Sequence, residues 1–220
     1  MKRMELHITE TVEPVAAPHG SAVALGFFDG VHLGHRAVIG AAVAAARRAG
    51  LTPAVLTIEL PEGNTLKGGR ILSRTQKHRR MAELGAREVM DPPFSAFCNL
   101  SPEAFVERIL VDCFGARQVF CGDNFTFGAR AAGNVESLQA LCARRGIGLT
   151  VVEMAGYGGK TVSSTRIRAA LEEGRLDDAN AMLGAPYAID WTVRHGKGVG
   201  TSRLGTPTIN QNYPAGTLQP

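Results

Sequence analysis
Residues 21–26 read S-A-V-A-L-G and residues 54–58 read A-V-L-T-I, two short runs without polar alternation. Between them lies an Ala-rich stretch, 34–49, that closes on Arg47, Arg48 and Gly50. Apolar runs of this kind are strands buried on both faces, and a basic last turn followed by glycine ends a helix. Two strands joined by such a helix run parallel, which makes a β-α-β unit. The alternation continues along the chain. A helix over 76–84 stops at Gly85, and a short strand over 87–90 stops at Asp91-Pro92-Pro93. Ser101-Pro102-Glu103 starts a helix that runs to about Phe114 and ends at Gly115: a Ser N-cap, Pro in the first turn and an acid behind it. Strand 118–121, helix 134–145 before Gly146, strand 149–153 and short helices over 164–173 and 176–183 follow. The pattern predicts an α/β fold, a doubly wound parallel sheet with helices on both faces.

The texture changes after Leu183-Gly184. Ile189, Trp191 and Val193 alternate with polar residues, as in an antiparallel strand with one wet face. A Gly- and Thr-rich segment, 196–207, comes next. We therefore expect one α/β domain over 1–184 and the opening of a small β-barrel domain over 185–220. A few strands alone do not make an independently stable unit.

Composition narrows the partners. With 220 residues, 45% of them hydrophobic, the chain can bury the core of one α/β domain. A net charge of +4, spread in patches, suits phosphates and does not call for nucleic acid. Cys98, Cys113, Cys121 and Cys142 form no C-x-x-C pair and no zinc spacing, so reduced thiols in a cytoplasmic protein are expected. The N-terminus lacks the apolar core of a signal peptide, and no apolar run is long enough to span a bilayer.

Four strings carry chemistry. The first is 26–35, G-F-F-D-G-V-H-L-G-H, between the first strand and its helix. Ligands in open α/β sheets bind beyond the carboxyl ends of strands, where a helix N-terminus attracts phosphate. Gly26 and Gly30 allow close backbone approach, and Gly34 leaves room between His32 and His35. Two fixed imidazole donors there can stabilise the charge that develops on an α-phosphate under attack. Phe27 and Asp29 belong to the same nucleotide-facing string. The second string is 122–128, G-D-N-F-T-F-G, at the end of another strand. Asn124 can bond a ribose or phosphate, and Phe125 or Phe127 can pack on a planar ring. The third is 162–168, V-S-S-T-R-I-R, which opens a helix. Ser163, Ser164, Thr165 and Arg168 make a cradle for the β- and γ-phosphates. The fourth includes Gly198, Gly200 and 205–210, G-T-P-T-I-N, with Thr208 and Asn210 as candidate magnesium ligands. His7, His19 and His78 have no partner at a useful spacing, and the run Lys77, His78, Arg79, Arg80 reads as a solvated helix face.

Taken together, the strings resemble the bacterial bifunctional riboflavin kinase/FAD synthetase family. The first three resemble that family's adenylyltransferase motifs in order, 183–187 (L-G-A-P-Y) resembles its bridge, and G-T-P-T-I-N the start of its kinase domain. The resemblance covers roughly Ala22 to the end. It implies a Rossmann-like nucleotidyltransferase fold and two magnesium-dependent reactions. Riboflavin is phosphorylated by ATP to FMN, and FMN then attacks the α-phosphorus of a second ATP to give FAD and pyrophosphate. It makes His32 and His35 the catalytic pair, Asn124 a nucleotide contact, Phe125 and Phe127 flavin contacts, and Ser163, Ser164, Thr165 and Arg168 phosphate contacts.

Two departures stand out. Where the family carries a Phe-x-Pro-His-Pro-like string, which shapes the flavin side, this chain has I-E-L-P-E over 58–62. In the kinase motif Thr206 replaces an aromatic. A molecule of these 220 residues alone is expected to lack kinase activity, and a longer parent to be bifunctional. A different phosphate acceptor, or a non-catalytic flavin- or nucleotide-binding module, are the other readings.

Overall fold
The computed structural model describes residues 6–58 and 69–190, and the backbone of two further strand pieces at 192–194 and 210–212. Five strands follow the expected β-α alternation: β2 (Ser21–Leu25), β3 (Thr52–Leu56), β4 (Glu88–Met90), β5 (Ala116–Gly122) and β6 (Gly148–Val152). A sixth, β1 (His7–Thr9), adds to the edge in register with β4. All six are parallel, in the order β1-β4-β3-β2-β5-β6. Chain order reverses between β2 and β5, the switch point where doubly wound sheets bind ligands.

Successive side chains of a strand point to opposite faces, and here both faces are covered. Ala22 and Ala24 of β2 join Val55, Val89 and Phe120 on one face. There they meet α1 (Leu33–Ala49), α2 (Arg74–Leu84), α5 (Ser164–Glu172) and α6 (Leu176–Leu183). Val23 and Leu25 join Ala54, Leu56, Met90, Val119 and Cys121 on the other, under α3 (Pro102–Phe105) and α4 (Val135–Arg144). This double burial is why the strand sequences show no polar alternation.

The helix ends follow local chemistry. Gly50, at φ 67°, caps α1 in the left-handed conformation that glycine adopts without strain. Ser73 and Gln76 form a reciprocal capping box that starts α2 two residues before the expected position. Ser101 caps α3, with Pro102 in its first turn. The expected α-helix to Phe114 is instead π-helical over Val106–Cys113, closed by the Phe114 N–H donating to the Ile109 carbonyl at 3.1 Å. A hairpin of β7 (Gly156–Tyr157) and β8 (Lys160–Thr161) turns through Gly158 and Gly159, both at positive φ. The alternating segment near Ile189 contributes β9 (Thr192–Arg194), antiparallel to β10 (Asn210–Asn212). Trp191, Gly198, Gly200, Thr206 and Thr208 lie outside the described residues, as do positions 59–62 of the altered loop.

The basic run at the start of α2 is not a solvated face. Lys77 and His78 are buried, and with Arg74 they close on Asp91, which is completely buried at the end of β4. His78 Nε2 lies 2.6 Å from Asp91 Oδ2, Arg74 Nε 3.0 Å from the same oxygen and Lys77 Nζ 3.2 Å from Oδ1. Only Arg79, paired with Glu83 along the helix, matches the expected exposure fully. His7 also has a partner, Glu88, at 2.9 Å. Positions 74, 77 and 78 share one helical stripe, so a single carboxylate from the sheet can meet all three.

Candidate active site
A cavity of about 580 Å3 opens at the carboxyl ends of β2 and β5, a size typical of small-molecule sites. The first three chemical strings converge on it. Gly26, Phe27, His32, Gly34 and His35 come from the first, Asn124, Phe125 and Phe127 from the second, and Ser163, Ser164, Thr165 and Arg168 from the third.

The turn that leads into α1 aims the histidines. Gly26 is required where it stands, because a Cβ there would meet the Phe28 ring at 2.8 Å. Phe28 and Val31 hold φ of 52° and 42°, a conformation that side chains rarely adopt and a β-branched residue least of all. His32 is the N-cap of α1, and its Nδ1 accepts the backbone N–H of His35 at 3.4 Å. That bond assigns the His32 proton to Nε2. The two rings stack with centroids 3.5 Å apart and planes 17° from parallel, and the Phe28 ring meets His35 edge-on. Burial holds the His32 imidazole down at about 4 and the His35 imidazole well below its ordinary value, with repulsion from His32 adding to the latter. Both are therefore neutral donors at physiological pH. His35 Nδ1 is buried and has no hydrogen-bond partner among the described residues.

Asp29 and Gly30 stand behind the cavity rather than in its lining. The Asp29 carboxylate accepts from the Arg168 guanidinium and from the Ile71 N–H, and the Ser164 hydroxyl donates to its backbone carbonyl at 3.0 Å. Burial pushes the Asp29 carboxyl up, against the pull of Arg168. Arg168 also donates to the Gly69 carbonyl at 2.8 Å, so it reaches the cavity as a fixed, partnered charge. Together these bonds lock the first string to the third. Arg166 faces the other way and clasps the β7–β8 hairpin through the carbonyls of Tyr157, Lys160 and Thr161. The N-terminus of α5, capped by Ser163, opens on the cavity with Thr165 exposed beside it.

The two phenylalanines of the second string differ. Phe127 is buried, 5.1 Å from the Phe105 ring and tight against Gly133, where a Cβ would sit 2.5 Å from it. Phe125 stacks on it at 5.9 Å and 11° and is half-buried, and both rings line the cavity. Phe94 and Phe97 extend this aromatic wall, and Met154 closes it near Gly122. The sequence reading missed these three. Phe94 and Phe97 follow the Pro92-Pro93 stop at the carboxyl end of β4, and that position was the available signal. Of the fourth string, only the backbone of Asn210 is described, within β10.

The four cysteines are free, with Cys113, Cys121 and Cys142 buried. Among the described residues no helix is long and apolar enough to cross a membrane.

Residues 15–166 match the FAD synthetase family. The bifunctional riboflavin kinase/FMN adenylyltransferase of Listeria monocytogenes is 38% identical over 86% of this chain and 61% of its own length. Proteins of the same name from Bacillus subtilis and Escherichia coli are 32% and 34% identical, over 93% and 89% of this chain. The chain spans 66% and 64% of those two, so it covers less than two thirds of each of these relatives. A crystal structure from Streptococcus pneumoniae, described as a macrolide-efflux protein, superposes with a TM-score of 0.81 at 27% identity. That match covers 97% of this chain and 70% of the other.

Proposed function
Because this chain belongs to the FAD synthetase family, we propose that it transfers the adenylyl group of ATP to FMN, giving FAD and pyrophosphate. An oxygen of the FMN phosphate attacks the α-phosphorus. The bond from that phosphorus to the oxygen bridging to the β-phosphate breaks, and pyrophosphate leaves with the electron pair. The FMN phosphate is the nucleophile, so no covalent enzyme intermediate is needed.

The neutral, stacked His32–His35 pair at the start of α1 carries this reading. Charge grows on the α-phosphate oxygens as the attacking and leaving oxygens both engage the phosphorus. Donors fixed beforehand in a buried site stabilise that charge without reorganising. The α5 N-terminus with Ser163, Ser164 and Thr165 receives the leaving phosphates, helped by the Arg168 charge. Asn124 contacts the nucleotide, and Phe125 packs on the flavin ring. Magnesium would arrive with the triphosphate and would offset its negative charge, a role that needs few protein ligands. Among the described residues no three His, Cys, Asp or Glu gather into a cage of their own. We assign the reaction to the segment 1–184, which closes at the left-handed Gly184.

The test is direct. The purified chain, ATP, magnesium and FMN are mixed, and FAD and pyrophosphate are followed together. One pyrophosphate per FAD, lost in His32→Ala, is the expected result. ATP consumption with no FAD overturns the reading.

A further inference from the structure
The strained turn that aims the histidines has to be held from outside. Left-handed backbone at Phe28 and Val31 is strained and persists only where the surroundings over-determine it. The second half of the turn is held by the Arg168 and Ser164 bonds to Asp29. The first half depends on Thr57, just past the end of β3 and completely buried. Its N–H donates to the Met90 carbonyl at 2.9 Å, which fixes its backbone in the sheet. Its hydroxyl donates to the Phe27 carbonyl at 2.9 Å. With its one proton committed, that hydroxyl accepts from Lys77 Nζ at 3.3 Å. Lys77 is itself fixed by Asp91 and by the Ile58 carbonyl at 3.3 Å. A continuous line of hydrogen bonds thus runs from the buried Asp91 through Lys77 and Thr57 to the backbone one residue before the strained Phe28. Phe27 and Ile58 both line the cavity.

We propose that Thr57, oriented by Lys77, is a positioning residue for adenylyl transfer: its hydroxyl fixes the Phe27 carbonyl and so the aim of His32 and His35. This rests on the adenylyl-transfer reading of the site. A hydrogen bond that sets the aim of transition-state donors acts on turnover and leaves ground-state binding alone. A bond that serves only the fold acts on the unfolding midpoint.

Thr57→Val removes the hydroxyl and keeps the shape, and Thr57→Ser keeps the hydroxyl. Thr57→Val is expected to lower kcat by about ten- to a hundredfold, the effect of a small misplacement of reacting groups. KM for ATP and for FMN should stay close to wild type, and Thr57→Ser should restore most of the turnover. Wild-type kcat in Thr57→Val, or a loss confined to KM, overturns the proposal. If the valine protein does not fold, Thr57→Ala is read against Thr57→Ser in the same way. The nitrogen and proton NMR signals of the two imidazoles, recorded without substrates, separate this proposal from the assigned reaction. They should move in Thr57→Val and return in Thr57→Ser. Unmoved signals refute the positioning role even in a protein that makes FAD. Moved signals with no FAD from the wild type support the positioning and sink the reaction.

Discussion

Asp91 and the His32–His35 pair stand at the carboxyl ends of strands in one sheet, and they are built in opposite ways. Around Asp91 every charge has a counterpart: Arg74, Lys77 and His78 converge on one carboxylate, which they hold down at about 2 against the cost of burial. The histidines have only each other. Burial strips their charge, their rings stack, and His35 Nδ1 is left without a partner among the described residues. A satisfied cluster stabilises one conformation and has no capacity left for a ligand. A buried pair with hydrogen-bonding capacity in reserve costs stability until something binds to it. The contrast marks which buried polar group is architecture and which is chemistry, and the Thr57 link ties the second to the first.

The strongest challenge is to the satisfied side. Asp91→Asn leaves three basic side chains around a neutral amide, and breaking a buried ion pair on one side costs about 3–5 kcal/mol. Urea unfolding monitored by circular dichroism should show that loss. A change below about 1 kcal/mol would mean the cluster is hydrated and Asp91 is not what holds it. On the other side, His32→Ala should lower FAD formation by about a hundred- to a thousandfold, the usual cost of one transition-state donor. It should cost less stability than Asp91→Asn. If the two variants trade places, with His32→Ala unfolding the protein and Asp91→Asn abolishing turnover, the division between architecture and chemistry is wrong.

Acid separates the two regions without mutation. His32 has its folded value lowered to about 4 from the ordinary 6.5. Above pH 6.5 neither the folded nor the unfolded chain protonates it, and stability is unaffected. Below that, the unfolded chain takes a proton that the folded one refuses. Stability should fall as pH drops from 6.5 toward 4, by up to about 1.4 kcal/mol per pH unit for such a group. Asp91 behaves the same way in a lower window: its contribution is complete above 3.8 and is lost as pH falls toward 2. Unfolding midpoints between pH 7.5 and 4.5 should therefore decline in the wild type and decline less in a His32→Asn/His35→Asn double variant. Equal slopes in the two proteins would show that the imidazoles are charged in the fold.

The sheet and the histidine pair were legible in the sequence because both are local. Strands 21–25 and 52–56 announce themselves by unbroken apolarity, and the glycines of G-F-F-D-G-V-H-L-G-H mark a turn between strand and helix. The Gly158-Gly159 hairpin was missed, although paired glycines between short extended pieces signal this turn. The cluster at Asp91 was not. A basic run such as Lys77-His78-Arg79-Arg80 is nearly always solvated, and its partner lies 13–14 residues away on a different element. Only the sheet, by placing the end of β4 against the start of α2, decides that two of those four side chains go inside. The π-helical stretch at 106–113, V-E-R-I-L-V-D-C, carries no glycine or proline to announce it.

Phe125 and Phe127 make the smallest and sharpest test, because the sequence offers them as equals and the structure does not. Phe127 is clamped between Phe105 and Gly133, and its neighbours already occupy its faces. Both rings line the cavity, but Phe125 is only half-buried. A stacked aromatic adds about 0.5–1.5 kcal/mol beyond its buried area, which is a two- to tenfold effect on binding. Phe125→Leu should raise KM for FMN by that factor while KM for ATP and the unfolding midpoint hold. Phe127→Leu should do the reverse, lowering the midpoint with little change in KM. If both substitutions weaken FMN alike, the aromatic wall moves to admit the flavin and Phe127 is part of the site. If neither does, the flavin ring lies elsewhere, with Phe94 and Phe97 the next rings along the wall.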